Sequence, residues 1–196
     1  GEGLSLCLQC KVCTATCPWN IIKSFPVHRM IREASLGLPN FEGEEWWLCT
    51  TCGACVRRCP AGVEIIEMMK AVRRIMIQGG LIPASLRLVA ANIRAEGNPW
   101  GEERKKRAGW CEDLGIKRFD KDTEFLYFPC CCPAYDPRGR KIARATTEVL
   151  KKAGIDFGIL GTEENCCGES VRKAGDETLF QTLATTNINT FAQNGV

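Results

Sequence analysis

The chain has 196 residues, 45% of them hydrophobic, enough for one ordinary domain or two small ones with a real apolar core. Its formal net charge of +3, from 26 Lys and Arg against 23 Asp and Glu, is too mild to point to nucleic acid, and no basic tract with interleaved aromatics occurs. No apolar run reaches the roughly 18 residues of a membrane-spanning helix; the stretch 81–91 breaks at Arg87, and no signal-peptide pattern is read at the start.

Residues 1–20 form a Cys-rich opening that ends at Cys17-Pro18. Apolar periodicity predicts a helix over 26–38, with Val27, Met30, Ile31, Ala34 and Leu38 in phase and Gly37, Pro39, Asn40 and Gly43 as breakers. Residues 46–62 repeat the opening's Cys pattern. A second helix is predicted over 63–78, with Ile65, Met69, Val72, Ile75 and Met76 on one side and Gly79-Gly80 as its stop. Pro83 opens a third, running to about Glu96. The loop Gly97-Asn98-Pro99 follows, then a helix over 101–113 whose run from Glu102 to Arg107 reads as a solvated face.

The pattern changes after about residue 120. Residues 124–128 form a short β-prone run. A helix is predicted over 138–153, with Ile142, Ala145, Val149 and Ala153 in phase and Gly154 closing it. A second apolar run covers 155–160, and a last helix covers 176–193 with Phe180, Leu183, Ala184, Ile188 and Phe191 in phase. Strand, helix, strand, helix, with a further strand expected from Val196, is a parallel α/β layout. The expected fold class is therefore α + α/β: an all-helical domain over 1–115, then the first part of a parallel α/β domain over 116–196.

The unusual number is 14 Cys against one His, with the Cys in tight groups rather than scattered as a disulfide framework would be. Cys7, Cys10, Cys13 and Cys17-Pro18 match Cys49, Cys52, Cys55 and Cys59-Pro60 step for step, in the spacing of bacterial [4Fe–4S] ferredoxins. Three thiolates at steps of three wrap one cluster, and the fourth faces the other. That assigns one cluster to Cys7, Cys10, Cys13 and Cys59, and the other to Cys49, Cys52, Cys55 and Cys17. Zinc sites use two ligand pairs, which leaves the third Cys of each motif unexplained. Gly53 eases close backbone approach in the second motif, whereas Lys11 stands at the equivalent place in the first.

A second Cys system follows the first β-prone run: Cys130-Cys131-Cys132, then 34 residues between Cys131 and Cys166, then Cys166-Cys167-Gly168. Adjacent Cys can both ligate one cluster from a tight turn. Both groups follow predicted strands, whose ends converge on a crevice in parallel α/β domains. His28 is read as a surface or capping residue and Cys111 as a buried small apolar one. Trp46 and Trp47 are expected to pack over a cluster and exclude water.

The 31 residues between Cys17 and Cys49 read as helical. In this the first half resembles the helical ferredoxin domain of succinate dehydrogenase iron–sulfur subunits and heterodisulfide reductases. The second half resembles the CCG (cysteine-rich) domain of heterodisulfide reductase catalytic subunits, in which a Cys, a Cys-Cys-Gly and a later Cys-x-x-Cys hold a non-cubane [4Fe–4S] cluster that cleaves disulfides. Residues 135–138 set the register, so the resemblance carries over to Cys131, Cys166 and Cys167 as a partial catalytic site. Cys130 then stands where relatives often have Gly, and Cys132 where they often have Thr.

The Cys-x-x-Cys would fall beyond Val196, and the chain starts at Gly1, so it is expected to be a fragment. The fused order is similar to the membrane-associated heterodisulfide reductase catalytic subunit and to the K subunit of the sulfite-reductase-linked Dsr complex. The resemblance implies an oxidoreductase acting on sulfur groups in anaerobic respiration. Two [4Fe–4S] cubanes would relay electrons to a third, non-cubane cluster that reduces a disulfide, heterodisulfide or trisulfide of a small protein or thiol. The implied donor is a membrane cytochrome b or quinone-linked subunit, or a flavoprotein, and the implied location is cytoplasmic and peripheral to the membrane through that partner. The alternative is an electron-transfer subunit for a lactate or glycolate dehydrogenase, or for an electron-transfer flavoprotein, without disulfide chemistry.

Overall fold

In the computed structural model, which describes residues 2–37 and 43–196, the chain divides into two units: Gly1–Ile82 with Ser170–Glu177, and Pro83–Glu169 with Thr178–Val196. Residues 83–115, which sequence alone groups with the helical half, lie in the second unit. Leu38, Pro39 and Asn40, the expected end of the first long helix, fall outside the described residues.

The first unit is helical. Short helices α1 (Val12–Thr16), α3 (Glu45–Leu48) and α4 (Ala54–Arg57) carry or precede the Cys motifs, and longer helices α2 (Val27–Ser35) and α5 (Ile65–Gln78) supply the core. The 3.6-residue spacing puts Val27, Met30 and Ile31 of α2 against Ile65, Met69, Val72 and Met76 of α5, with Phe25, Trp46 and Val63 filling between them. Ile75, expected on that face, is exposed. Asn20 pins the entry to α2: its Nδ2 donates to the carbonyls of Thr14 (2.8 Å) and Phe25 (3.0 Å), and its Oδ1 accepts from Phe25 N–H (2.8 Å).

In the second unit α6 (Ala84–Glu96) starts after Pro83 and ends on left-handed Gly97. The helix expected over 101–113 is instead two 3-10 turns, Arg104–Ala108 and Glu112–Leu114. Strands β1 (Lys117–Arg118), β2 (Phe125–Leu126) and β3 (Phe157–Ile159) form a parallel sheet in the order β1-β3-β2. The strand beside β3 that the pattern did not reveal thus comes from upstream. Helices α7 (Cys131–Tyr135) and α8 (Pro137–Lys152) lie between β2 and β3 in sequence. After β3 come α9 (Glu169–Ala174), which from Ser170 onward is counted with the first unit, and α10 (Glu177–Asn194), which from Thr178 onward is in the second.

The face of α8 is not the expected one. Ile142 and Val149 are 62% and 66% exposed, while Ala143 and Thr147 are buried. Part-buried Gly139 and buried Ala143 and Thr147 recur every four residues, so the inward stripe is made of small residues. On α10, likewise, Leu179, Leu183 and Asn187 are buried and Ile188 is exposed. Among the described residues no helix is long and apolar enough to cross a membrane.

Central strand β3 depends on Gly158, where a Cβ would sit 2.7 Å from the backbone of Phe119. Gly158→Ala is expected to lower stability by about 1–3 kcal/mol through this overpacking, read as a shifted midpoint in denaturant unfolding.

Candidate metal centres

Two cavities in the first unit are walled by cysteine. One, of about 180 Å³, is lined by Cys17, Cys49, Cys52 and Cys55, with apolar cover that includes Trp19 and Phe25. The other is tighter, about 20 Å³, and is lined by Cys7, Cys10, Cys13 and Cys59 together with Gln9 and His28. The structure thus brings Cys17 to the second motif's three thiols and Cys59 to the first motif's three. Trp46 and Trp47 belong to the core but do not line either cavity; the indole over the larger one is Trp19. His28 is half-buried rather than free in solvent, and its Nδ1 lies 2.9 Å from Thr14 Oγ1.

The same backbone path builds both walls. Gln9 and Lys11 have φ of 54° and 65°, and Thr51 and Gly53 have φ of 55° and 77°, so the chain turns left-handed at matching places around Cys10 and Cys52. Such turns gather N–H groups into anion-binding concavities of the kind that hold iron–sulfur clusters. Lys11 adopts the conformation that Gly53 adopts without steric cost. Donors also reach sulfur: Gln9 Nε2 lies 3.2 Å from Cys7 Sγ, and Val63 N–H 3.4 Å from Cys59 Sγ.

Burial pushes the Cys13 and Cys49 thiols up and the Cys55 thiol up to about 11. Buried all-sulfur walls of this kind suit a metal cluster, whose positive charge displaces the thiol protons. Among the described residues no three metal-binding side chains gather as closely as a single ion needs. The sulfurs instead border cavities, and the donor set, four thiols each, fits [4Fe–4S] clusters.

Arg73 braces the larger site. Its buried guanidinium donates to the carbonyls of Trp46 (2.7 Å), Cys49 (2.6 Å) and Lys173 (2.8 Å), and it stacks 5.7 Å from the Trp47 ring. Nothing in the helical periodicity distinguished it from its solvated neighbours.

The second unit gathers its own thiols where two turns meet. Cys131 starts α7, Cys166 and Cys167 follow β3, and both Cys131 and Cys166 are buried while Cys167 is exposed. Cys130 Sγ lies 4.0 Å from Cys131 Sγ. Cys132 is exposed, and Cys111 is buried apart with its thiol on the Ala108 carbonyl. Cys130 has φ 67° and ψ −161°, backbone that only glycine adopts readily. Asp136 caps α8 by accepting from Gly139 N–H at 2.6 Å, and a Cβ on Gly139 would lie 2.9 Å from the backbone of Cys132. The 135–138 register therefore marks a close α7–α8 turn.

Asn98, fully buried, ties the preceding loop. Its Nδ2 donates to the carbonyls of Glu96 and Glu102, and its Oδ1 accepts from the N–H groups of Trp100 and Glu102. The Gly97 carbonyl it steadies accepts from Cys166 N–H at 3.0 Å. Arg107, read from sequence as solvated, is 2% exposed, and its Nη2 lies 3.3 Å from Cys131 Sγ and 3.2 Å from Glu164 Oε1. Burial pushes the Glu164 carboxyl up to about 7 against the pull of Arg107. Hydrogen bonds from Cys131 and Cys167, and then Gly168 N–H, hold the Cys166 thiol below its ordinary range despite burial. Sharing protons with Cys130 and Cys166, together with burial, pushes Cys131 up.

Comparison with known proteins finds a family match for each of the two cysteine systems. Residues 3–63 match the 4Fe-4S dicluster domain family and residues 125–196 the cysteine-rich domain family. The chain is 37% identical over 162 residues to an EtfAB:quinone oxidoreductase of Syntrophomonas wolfei, covering 78% of this chain and 22% of that protein. It is 31% identical over 151 residues to one subunit of the dihydromethanophenazine:CoB--CoM heterodisulfide reductase of Methanosarcina barkeri, 75% of this chain and 36% of that one. It is 34% identical over 134 residues to one subunit of the ferredoxin/F(420)H(2)-dependent CoB-CoM heterodisulfide reductase of Methanosarcina acetivorans, 64% of this chain and 81% of that one. The chain spans under a quarter of the length of the first of these relatives.

Two left-handed side chains give a direct check. Lys11→Gly and Cys130→Gly are each expected to raise the stability of the metal-free protein by about 1 kcal/mol, the relieved strain outweighing the glycine's extra chain entropy. Thermal unfolding measures it, with Cys130→Ala as the control that gains nothing. Arg73→Met, by stranding one buried and two partly buried carbonyls, is expected to cost about 3 kcal/mol in the same measurement.

Proposed function

The chain belongs to the family of heterodisulfide reductase-type iron–sulfur proteins, which carry a 4Fe-4S dicluster domain, here joined to a cysteine-rich CCG domain, and from that premise we propose that it relays electrons one at a time between a flavoprotein or quinone-linked partner and the CCG site. It is an iron–sulfur electron-transfer component of an oxidoreductase. The observation that carries the relay is the crosswise lining of the two cavities, Cys17 with Cys49, Cys52 and Cys55, and Cys59 with Cys7, Cys10 and Cys13. In this reading those two sets hold the two [4Fe–4S] clusters. Bound there, the clusters supply one-electron transfer, which two-electron donors such as flavins and quinols require in successive steps.

The protein's own part is environment. Trp19 and Phe25 keep water from the larger site, and the Gln9 and Val63 donors beside Cys7 and Cys59 favour the reduced state. The flavoprotein or quinone link is supported by the likeness to the EtfAB:quinone oxidoreductase. A second reading gives the CCG site disulfide chemistry: a disulfide takes up two electrons and two protons, its S–S bond breaks, and two thiols leave. Its support is the convergence of Cys131 and Cys166 on the Gly97 carbonyl, with Cys167 following, together with the likeness to the heterodisulfide reductase of Methanosarcina barkeri. The fit of a cluster or thiol-bearing group is favoured by Arg107 Nε, a buried donor with no partner among the described residues, on the guanidinium whose Nη2 reaches Cys131.

The crosswise assignment predicts paired losses. Cys17→Ser is expected to abolish one cubane's EPR signal and about half of the roughly eight cubane irons per chain. Cys59→Ser should abolish the other and spare the first. Both variants losing the same signal would overturn the crosswise reading.

A further inference from the structure

We propose that Arg107 is a positioning residue of the CCG site, which clamps the Cys131-bearing turn to the Cys166-bearing turn and supplies the positive charge that sets the potential of the group these thiols bind. The inference rests on the reading that the CCG cysteines hold such a group. One guanidinium reaches both turns. Its Nη2 meets Cys131 Sγ at 3.3 Å and Glu164 Oε1 at 3.2 Å, two residues before Cys166. Its Nη1 lies 3.4 Å from the Gly97 carbonyl, the same oxygen that accepts Cys166 N–H at 3.0 Å. The Tyr135 ring stacks 6.0 Å from its carbon. Glu164 is as deeply buried as Arg107, so the pair faces little screening by water.

A purely structural role fits this geometry poorly. Arg73, the other deeply buried arginine among the described residues, directs its guanidinium at three carbonyl oxygens. Arg107 directs a donor at sulfur and leaves its buried Nε without a protein partner among the described residues. A donor held dry beside thiols is placed for anionic sulfur. Reduction adds negative charge to the bound group, which a fixed cation stabilises and a fixed anion opposes. Arg107 and Glu164 therefore act on the potential with opposite signs, whereas loosening of the turns would not separate them by sign.

The test is an anaerobic redox titration of the natural-length protein at mildly alkaline pH, following by EPR the signal beyond the two cubanes. Arg107→Gln is expected to lower that signal's midpoint potential and Glu164→Gln to raise it. Arg107→Lys should stay nearest the unsubstituted protein, and both cubane potentials should stay put throughout. Shifts of the same sign in the two neutral variants, or no shift in Glu164→Gln, would overturn the proposal. If Arg107→Gln is not recovered folded by circular dichroism, Glu164→Gln decides: a raised potential supports the proposal, and an unchanged or lowered one overturns it. An unsubstituted protein with cubane signals but no further one defeats the CCG-site reading itself, an outcome separate from a failure of Arg107 alone.

Discussion

A cysteine that closes its neighbour's cavity instead of its own forces two distant stretches of chain together. Cys17 stands with Cys49, Cys52 and Cys55, and Cys59 with Cys7, Cys10 and Cys13, so neither half of the first unit can complete its wall alone. The other features of that unit serve the exchange. Asn20 locks the path from the first motif into α2, and the α2–α5 core fixes the spacing between the motifs. Arg73 ties down the carbonyl of Cys49 at the start of the second motif. Left-handed turns at Gln9, Lys11, Thr51 and Gly53 then wrap each wall the same way round. The sequence repeat is thereby a backbone repeat, including at Lys11, where glycine would be the easier residue.

What could be read in advance follows from how strictly chemistry fixes spacing. Cluster ligands come at invariant steps, so the two Cys motifs were legible without any structure, as was the parallel α/β character of the second half. Helix faces were legible where large apolar residues make the contact, as on α2. They were misread on α8, because its inward stripe of part-buried Gly139 and buried Ala143 and Thr147 is made of small residues that let backbones approach. Hydrophobic periodicity weights Ile142 and Val149 instead, and these are exposed. Strand β1 was missed because two charged residues, Lys117 and Arg118, carry no strand pattern. Parallel pairing with β3 alone defines it.

Arg107 illustrates a different kind of illegibility. A charged run on an α-helix would scatter its side chains at 100° steps, and a solvated face is then the natural reading. The segment is a 3-10 turn, in which residues three apart eclipse. Arg104 and Arg107 therefore project together, Arg104 to Asn165 and Arg107 to Cys131 and Glu164, while Lys105 and Lys106 remain with exposed acidic partners. The information was present in the sequence only as a choice between two helical periods, which four consecutive basic residues do not resolve.

Among the described residues two arginines, Arg73 and Arg107, are deeply buried, and they face different kinds of partner. Arg73 answers the partial charges of three peptide carbonyls, so its hydrogen bonds are bound up with the fold. Arg107 answers a sulfur and a carboxylate, groups whose own charge depends on protonation or redox state. Replacing either leaves buried polar groups without a partner, which is costly in both places. At Arg107 the partners are themselves ionisable, so on the proposal above the same ion pair would act on stability and on chemistry at once. The Asn98 loop that presents Gly97 to both Arg107 and Cys166 is, on this argument, as much a part of the sulfur site as the cysteines themselves.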